Sequence, residues 1–248
     1  MMPLWDNNPR HAVPWVTIGF IGACILAFLY QLSAPSFHNV VLYGGFIPAR
    51  LFAPNILPLE LLSLSSAPVL TLLTSMFLHG DIMHILGNML FLWTFGDNLE
   101  LVLGRLKFIV FYLFCGLAAA MTQAFINPAS IIPMIGASGA ISGVLGAYLV
   151  LFPKVRVTTY MPYAGIVQLP ALAVLGSWFG YQLILGISSL GNTGGGVAFW
   201  AHIGGFVAGL IGMFLLKTVA NSKNIHTEYA PAEIYANRKR NHDEPDLW

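Results

Sequence analysis

Three stretches of this chain place polar, chemically capable side chains inside otherwise apolar sequence. The first reads His79-Gly-Asp-Ile-Met-His84-Ile-Leu-Gly-Asn88, so His84 and Asn88, four apart, share one face of a helix. The second is Gly136-Ala-Ser138-Gly139, with glycine again at Gly143 and Gly146. The third is Ala201-His202-Ile-Gly-Gly205, followed by Gly209. A serine hydroxyl is a weak nucleophile until a base within about 2.6–3.2 Å takes its proton. His202 is the natural base, because an apolar setting favours the neutral imidazole that can accept. A tetrahedral intermediate also needs donors for its oxyanion. The side chains of His84 and Asn88 can supply them, with the backbone N–H of Ser138 at a helix N-terminus. No acidic residue lies in the segments that carry Ser138 and His202, so a two-residue dyad is expected rather than a triad. Each residue also has a plainer reading. Ser138 alone is a packing serine, His202 an interhelical hydrogen-bonding or proton-path group, and His79 an interfacial polar residue.

Such residues need rigid elements to position them, and the composition says which kind. The 248 residues are 57% hydrophobic and 8% charged, against roughly 25% charged in a soluble domain. That excludes both a soluble globular domain and a disordered chain. A net charge of +1 gives no field for nucleic acid. Cys24 and Cys115 sit in apolar runs and read as buried thiols rather than a disulfide. A membrane helix needs about 20 apolar residues to cross roughly 30 Å. Six segments qualify as helices: 13–32, 82–98, 106–125, 137–152, 169–188 and 197–216. The first has no signal-peptide n-region and reads as a retained helix. The run Gly191–Gly196 reads as the turn between the last two.

The basic residues then set sidedness. With six spans, Arg10, Arg105, Lys107, Lys154, Arg156, Lys217, Lys223, Arg238, Lys239 and Arg240 all fall inside, and only Arg50 falls outside. A seventh span through Ile56–Leu78 would scatter them, so 33–80 reads as one long outer loop. Residues 1–12 become a cytoplasmic N-terminus, 13–217 the membrane domain and 218–248 a flexible cytoplasmic tail. In this topology Ser138, His202, His84 and Asn88 all lie in the outer half of the membrane. The pairs Gly139/Gly143 and Gly205/Gly209 are small-xxx-small motifs that let the fourth and sixth helices approach closely. Glu100, near the inner end of the second helix, reads as structural, satisfying nearby amides. Trp178 and Phe179 read as packed or lipid-facing aromatics, with a lateral substrate gate as the alternative.

Phe77-Leu-His79-Gly with His84 and Asn88, then Gly136-Ala-Ser138-Gly139, then Ala201-His202-Ile-Gly-Gly205 with Gly209, closely resembles the rhomboid intramembrane serine proteases. The run Gly96–Phe108 looks like the family's connection between its second and third helices, and the likeness covers about residues 40–215. The resemblance implies an all-α, six-transmembrane-helix bundle with a water-filled cavity open to the outer face. It implies Ser138 as nucleophile, His202 as general base, and His84 with Asn88 at the oxyanion. Gly136, Gly139, Gly143, Gly205 and Gly209 would support the packing. Implied substrates are single-span membrane proteins cut within or beside the lipid bilayer. No cofactor, metal or nucleic acid is expected, and there is no His-Glu-x-x-His pattern. Two departures stand out. Ser142 occupies the position where many members carry the Tyr or Phe that stacks beneath the histidine, and an outer-loop Trp-Arg pair is absent. Two other functions compete: a catalytically inactive relative acting as a membrane chaperone, and a small proton or metal transporter using His79, His84 and His202. The short N-terminus without a targeting presequence points to a bacterial cytoplasmic membrane.

Overall fold

The computed structural model describes residues 1–9, 12–190 and 197–222, with side chains to residue 217. The Gly191–Gly196 turn, Arg10 and the tail beyond 222 lie outside the described residues. In chain order the elements are β1 (Met2–Asp6), α1 (Trp15–Ser33), α2 (Phe37–Gly44), α3 (Ala49–Phe52), α4 (Leu59–Leu62), α5 (Pro68–Thr74) and α6 (Ile82–Leu103). There follow α7 (Arg105–Ile126), α8 (Ser138–Leu151), β2 (Arg156–Met161), β3 (Gly165–Pro170), α9 (Ala171–Ser188) and α10 (Phe199–Ser222).

Among the described residues four helices, α1, α7, α9 and α10 as far as Lys217, are each long and apolar enough to cross a membrane. The segment Pro68–Phe77 and α6 pass the same criterion as a pair bent by 80°, which makes five. Large apolar side chains face outward along them, among them Leu26, Val110, Ile184 and Phe214. Only lipid suits such faces and the closed backbone hydrogen bonding beneath them. The chain is a multi-pass integral membrane protein.

α8 is the exception that organises the rest. Its 14 residues reach about 21 Å at 1.5 Å each, short of the hydrocarbon thickness. Every residue from Ala140 to Tyr148 is buried. A helix apolar all round belongs in the core. Its glycines let α10 lie directly on it. A Cβ on Gly209 would collide with the backbone of Gly143, and one on Gly205 with the carbonyl of Gly139. A Cβ on Gly146 would meet the Phe206 carbonyl. These two helices therefore touch backbone to backbone, so the N-terminus of α8 and the first turns of α10 share one level.

Polar anchors fix the remaining long helices. Glu100 is buried and accepts from the amides of Val16 and Thr17, at 2.9 and 2.8 Å, and from the Thr17 hydroxyl at 2.9 Å. A carboxylate at a helix N-terminus satisfies otherwise unpaired donors. Thus α6 caps α1. The Asp81 side chain accepts from the His84 amide at 2.8 Å and caps α6 itself. Gly104, at φ +76°, turns α6 into α7.

Two parts of the architecture add to the helical bundle what its apolar spans do not announce. The first is a three-stranded antiparallel sheet, ordered β1-β2-β3, at the end of the bundle where α8 finishes and α9 begins. The stretch from Val157 to Leu169 has no charged side chain and so reads as apolar span sequence. Its Val-Thr-Thr-Tyr run nevertheless favours extended backbone, and a turn carrying Tyr163 and Gly165 at positive φ closes the hairpin. α9 consequently starts at Ala171 rather than 169. The N-terminal residues are part of this unit: Asp6 accepts hydrogen bonds from Asn98, Asn8 and Tyr148. The second is the stretch 33–80, read as one long outer loop, which carries the short helices α2 to α5. Leu42, Ile47, Leu57, Leu61 and Leu64 make a small core of their own. The Arg50 guanidinium donates to Ser66 Oγ at 3.0 Å and to the carbonyls of Leu64 and Ser66 at 2.9 and 2.7 Å.

Candidate active site

A cavity of about 960 Å³ opens at the end of the bundle opposite the sheet. Its walls include His84 and Asn88 from α6, Ser138 from α8, Trp178 from α9 and His202 from α10. Ser138 is the first residue of α8 and His202 lies in the first turn of α10. The backbone contact of those two helices brings their side chains together: Ser138 Oγ is 2.8 Å from His202 Nε2. That is hydrogen-bonding distance, and the hydroxyl is the donor when the ring nitrogen is unprotonated.

His84 approaches from the other side. Its Nδ1 accepts from the Gly80 amide at 3.3 Å, which leaves the proton of the neutral ring on Nε2. Nε2 points at Gly136, where any Cβ would lie 2.7 Å from it. Gly136 is also held at φ +124°, a conformation L side chains rarely adopt, and its amide donates to the Ser75 carbonyl at 2.8 Å. Glycine is required here on both counts. It lets an imidazole N–H sit against the turn that leads into Ser138. Asn88 is 8% exposed, lines the same cavity, and its buried Nδ2 has no protein partner among the described residues. An unpaired buried donor beside a cavity is costly unless something enters to accept from it. His84, Asn88 and the N-terminus of α8 thus bring potential donors to the cavity that Ser138 lines.

His79 has a different place. Its backbone N–H donates to Gln31 Oε1 at 3.0 Å and its carbonyl accepts from Gln31 Nε2 at 2.9 Å. The ring donates through Nδ1 to the Phe77 carbonyl at 3.2 Å and meets His84 edge-on at 5.1 Å. It clamps α1 to the turn before α6.

The residue that the sequence reading missed is Gln182. Its Oε1 lies 2.8 Å from His202 Nδ1, on the side of the ring away from Ser138. Ser142, at the position where many rhomboids carry an aromatic ring, donates to the Ser138 carbonyl at 2.6 Å. Trp178 faces the imidazole at 6.0 Å with a 38° tilt, while Phe179 stacks on Phe206 at 4.4 Å. A usable signal existed: Gln182 is the single amide side chain in α9, one turn after Trp178, and an amide in an apolar span must find a partner.

The sequence model of the Rhomboid domain family matches residues 66–218, more than half of the chain and all of the cavity residues just described. The chain belongs to the rhomboid family. It is similar to Rhomboid protein 1, mitochondrial, of Saccharomyces cerevisiae, 28% identical over 162 residues, which is 62% of this chain and 44% of that protein. It is also similar to Rhomboid protease GluP of Bacillus subtilis, 31% identical over 138 residues, 56% of this chain and 24% of that one. RHOMBOID-like protein 1 of Arabidopsis thaliana is 32% identical over 148 residues, 59% of this chain and 34% of its own length. The matches thus span less than half the length of each of these rhomboid relatives.

Proposed function

We propose that this rhomboid is an intramembrane serine endopeptidase that cuts single-span membrane proteins within or beside the bilayer. The observation that carries the reading is the 2.8 Å contact of Ser138 Oγ and His202 Nε2 at a cavity inside an apolar bundle. In the proposed reaction His202 Nε2 takes the Ser138 proton as Oγ attacks the scissile carbonyl carbon. The oxyanion accepts from His84 Nε2–H, Asn88 Nδ2–H and an α8 amide. His202 then returns its proton to the leaving amine, and cavity water hydrolyses the acyl-enzyme with the same imidazole as base. Sidedness follows from charge: Arg105, Lys107, Lys154 and Arg156 gather at the sheet end, whereas Arg50 stands on the cavity side. We therefore assign the sheet end and both termini to the cytoplasm and the cavity mouth to the outer face.

The test is cleavage of a fluorescent single-span substrate by protein reconstituted in liposomes. The wild type is expected to cut it, and EDTA or 1,10-phenanthroline to leave the rate unchanged. Failure to cut any of a panel of such substrates, or loss of cutting on chelation, contradicts the reading. A variant probes the donor group. Asn88→Ala is expected to lower kcat by about 10²-fold with little change in KM, because one of several oxyanion donors is removed. An unaltered kcat would take Asn88 out of that group.

A further inference from the structure

His202 needs more than a serine beside it. A neutral imidazole has one lone pair and one N–H, and only one of its two tautomers presents the lone pair to Ser138. In the other tautomer Nε2 donates to Oγ and cannot take its proton. Something on the Nδ1 side must make the choice, and α8 does not, because its Ser142 hydroxyl is engaged by the Ser138 carbonyl. On α9, by contrast, Gln182 is buried, 6% exposed, with Oε1 2.8 Å from Nδ1. An amide oxygen only accepts, so the contact holds the ring proton on Nδ1 and leaves Nε2 free to accept. Trp178, one turn earlier on the same helix, has its ring 6.0 Å from the imidazole at a 38° tilt.

We propose that Gln182 is the positioning residue of this enzyme: it sets the tautomer and plane of His202 from α9, the work of a third catalytic partner done by a neutral amide. This rests on the assignment of His202 as the base. As the proton arrives on Nε2, the Oε1 dipole already aimed at Nδ1–H also favours the imidazolium, and no reorganisation is needed at that moment. The amide suits an apolar helix better than a carboxylate, which would enter the span as a charge.

The experiment compares Gln182→Met, which keeps volume and removes the acceptor, with Gln182→Glu, which restores it. Steady-state cleavage, thermal unfolding, and ¹⁵N NMR of histidine-labelled protein are read together, the His202 signals being assigned by difference against His202→Ala. Gln182→Met is expected to lose about 10- to 100-fold in kcat, the worth of one hydrogen bond to a group that becomes charged, with KM within about twofold. Its His202 should lose the protonated-Nδ1 signature while the unfolding temperature is held within a few degrees. Gln182→Glu should recover most of kcat and keep that signature. The proposal is overturned if Gln182→Met retains kcat and a protonated Nδ1. It is equally overturned if the loss tracks a lowered unfolding temperature and glutamate restores nothing. Ser138→Ala separates this from the parent reading. It should keep the Nδ1 signature with no cleavage, and cleavage that survives in it removes the dyad whatever Gln182 does.

Discussion

Ser138→Ala and His202→Ala are each expected to lower kcat/KM by about 10⁴-fold or more, with the double variant no slower than either alone. The reason lies in the 2.8 Å contact. In the proposed reaction the hydroxyl attacks only as the imidazole takes its proton, so the two act as one functional unit. On that mechanism, removing either should remove the whole acylation step, and removing the second should cost nothing more. Independent contributions would instead multiply. Rate measurements on the three variants at saturating and subsaturating substrate check this. Losses that multiply in the double variant, or a His202→Ala enzyme within tenfold of wild type, would show that another group activates the serine.

The second large effect is on packing. Gly209→Val is expected to destabilise the protein by about 3 kcal/mol or more and to abolish cleavage, although residue 209 touches no substrate. A Cβ there would overlap the backbone carbonyl, C and Cα of Gly143. Those are main-chain atoms in the middle of α8, so no side-chain rotation relieves the overlap. α10 would have to move outward by an ångström or more, which separates His202 from Ser138 at the same time. Unfolding in mixed detergent micelles and cleavage rate should fall together. Gly212→Ala makes a useful contrast. A Cβ at Gly212 would meet only the Phe111 ring edge, at 3.3 Å, and a ring can shift. Its stability is expected within about 1 kcal/mol of wild type. A Gly209→Val protein that is stable and active would show that the backbone contact of α8 and α10 does not set the site.

How much of this was readable in the residues follows from physics. Long apolar runs announce membrane helices because lipid tolerates little else, and α1, α7, α9 and α10 lie where those runs lie. Ser138, His202, His84 and Asn88 were readable as a set because each is an expensive residue in its setting and charge counting put them at one depth. Gly136 and the α8–α10 glycines were readable as permission for close approach, though not which atoms would meet. The hairpin of β2 and β3 was not readable from apolarity, since an uncharged strand and an uncharged span score alike. Its β-branched Val157-Thr-Thr run was the overlooked sign. Gln182 escaped because hydrogen-bonding partners from different helices leave no spacing pattern in the chain. The separation of 20 positions between it and His202 in the chain carries no record of the 2.8 Å contact.

The most direct measurement is covalent labelling of the membrane-embedded protein with a fluorophosphonate, followed by peptide mapping. An activated serine reacts with such a reagent whatever the natural substrate. One adduct per chain is expected, on Ser138, absent from Ser138→Ala and reduced to background in His202→Ala. An adduct on a different serine, or cleavage that continues while Ser138 stays unlabelled, would contradict the account.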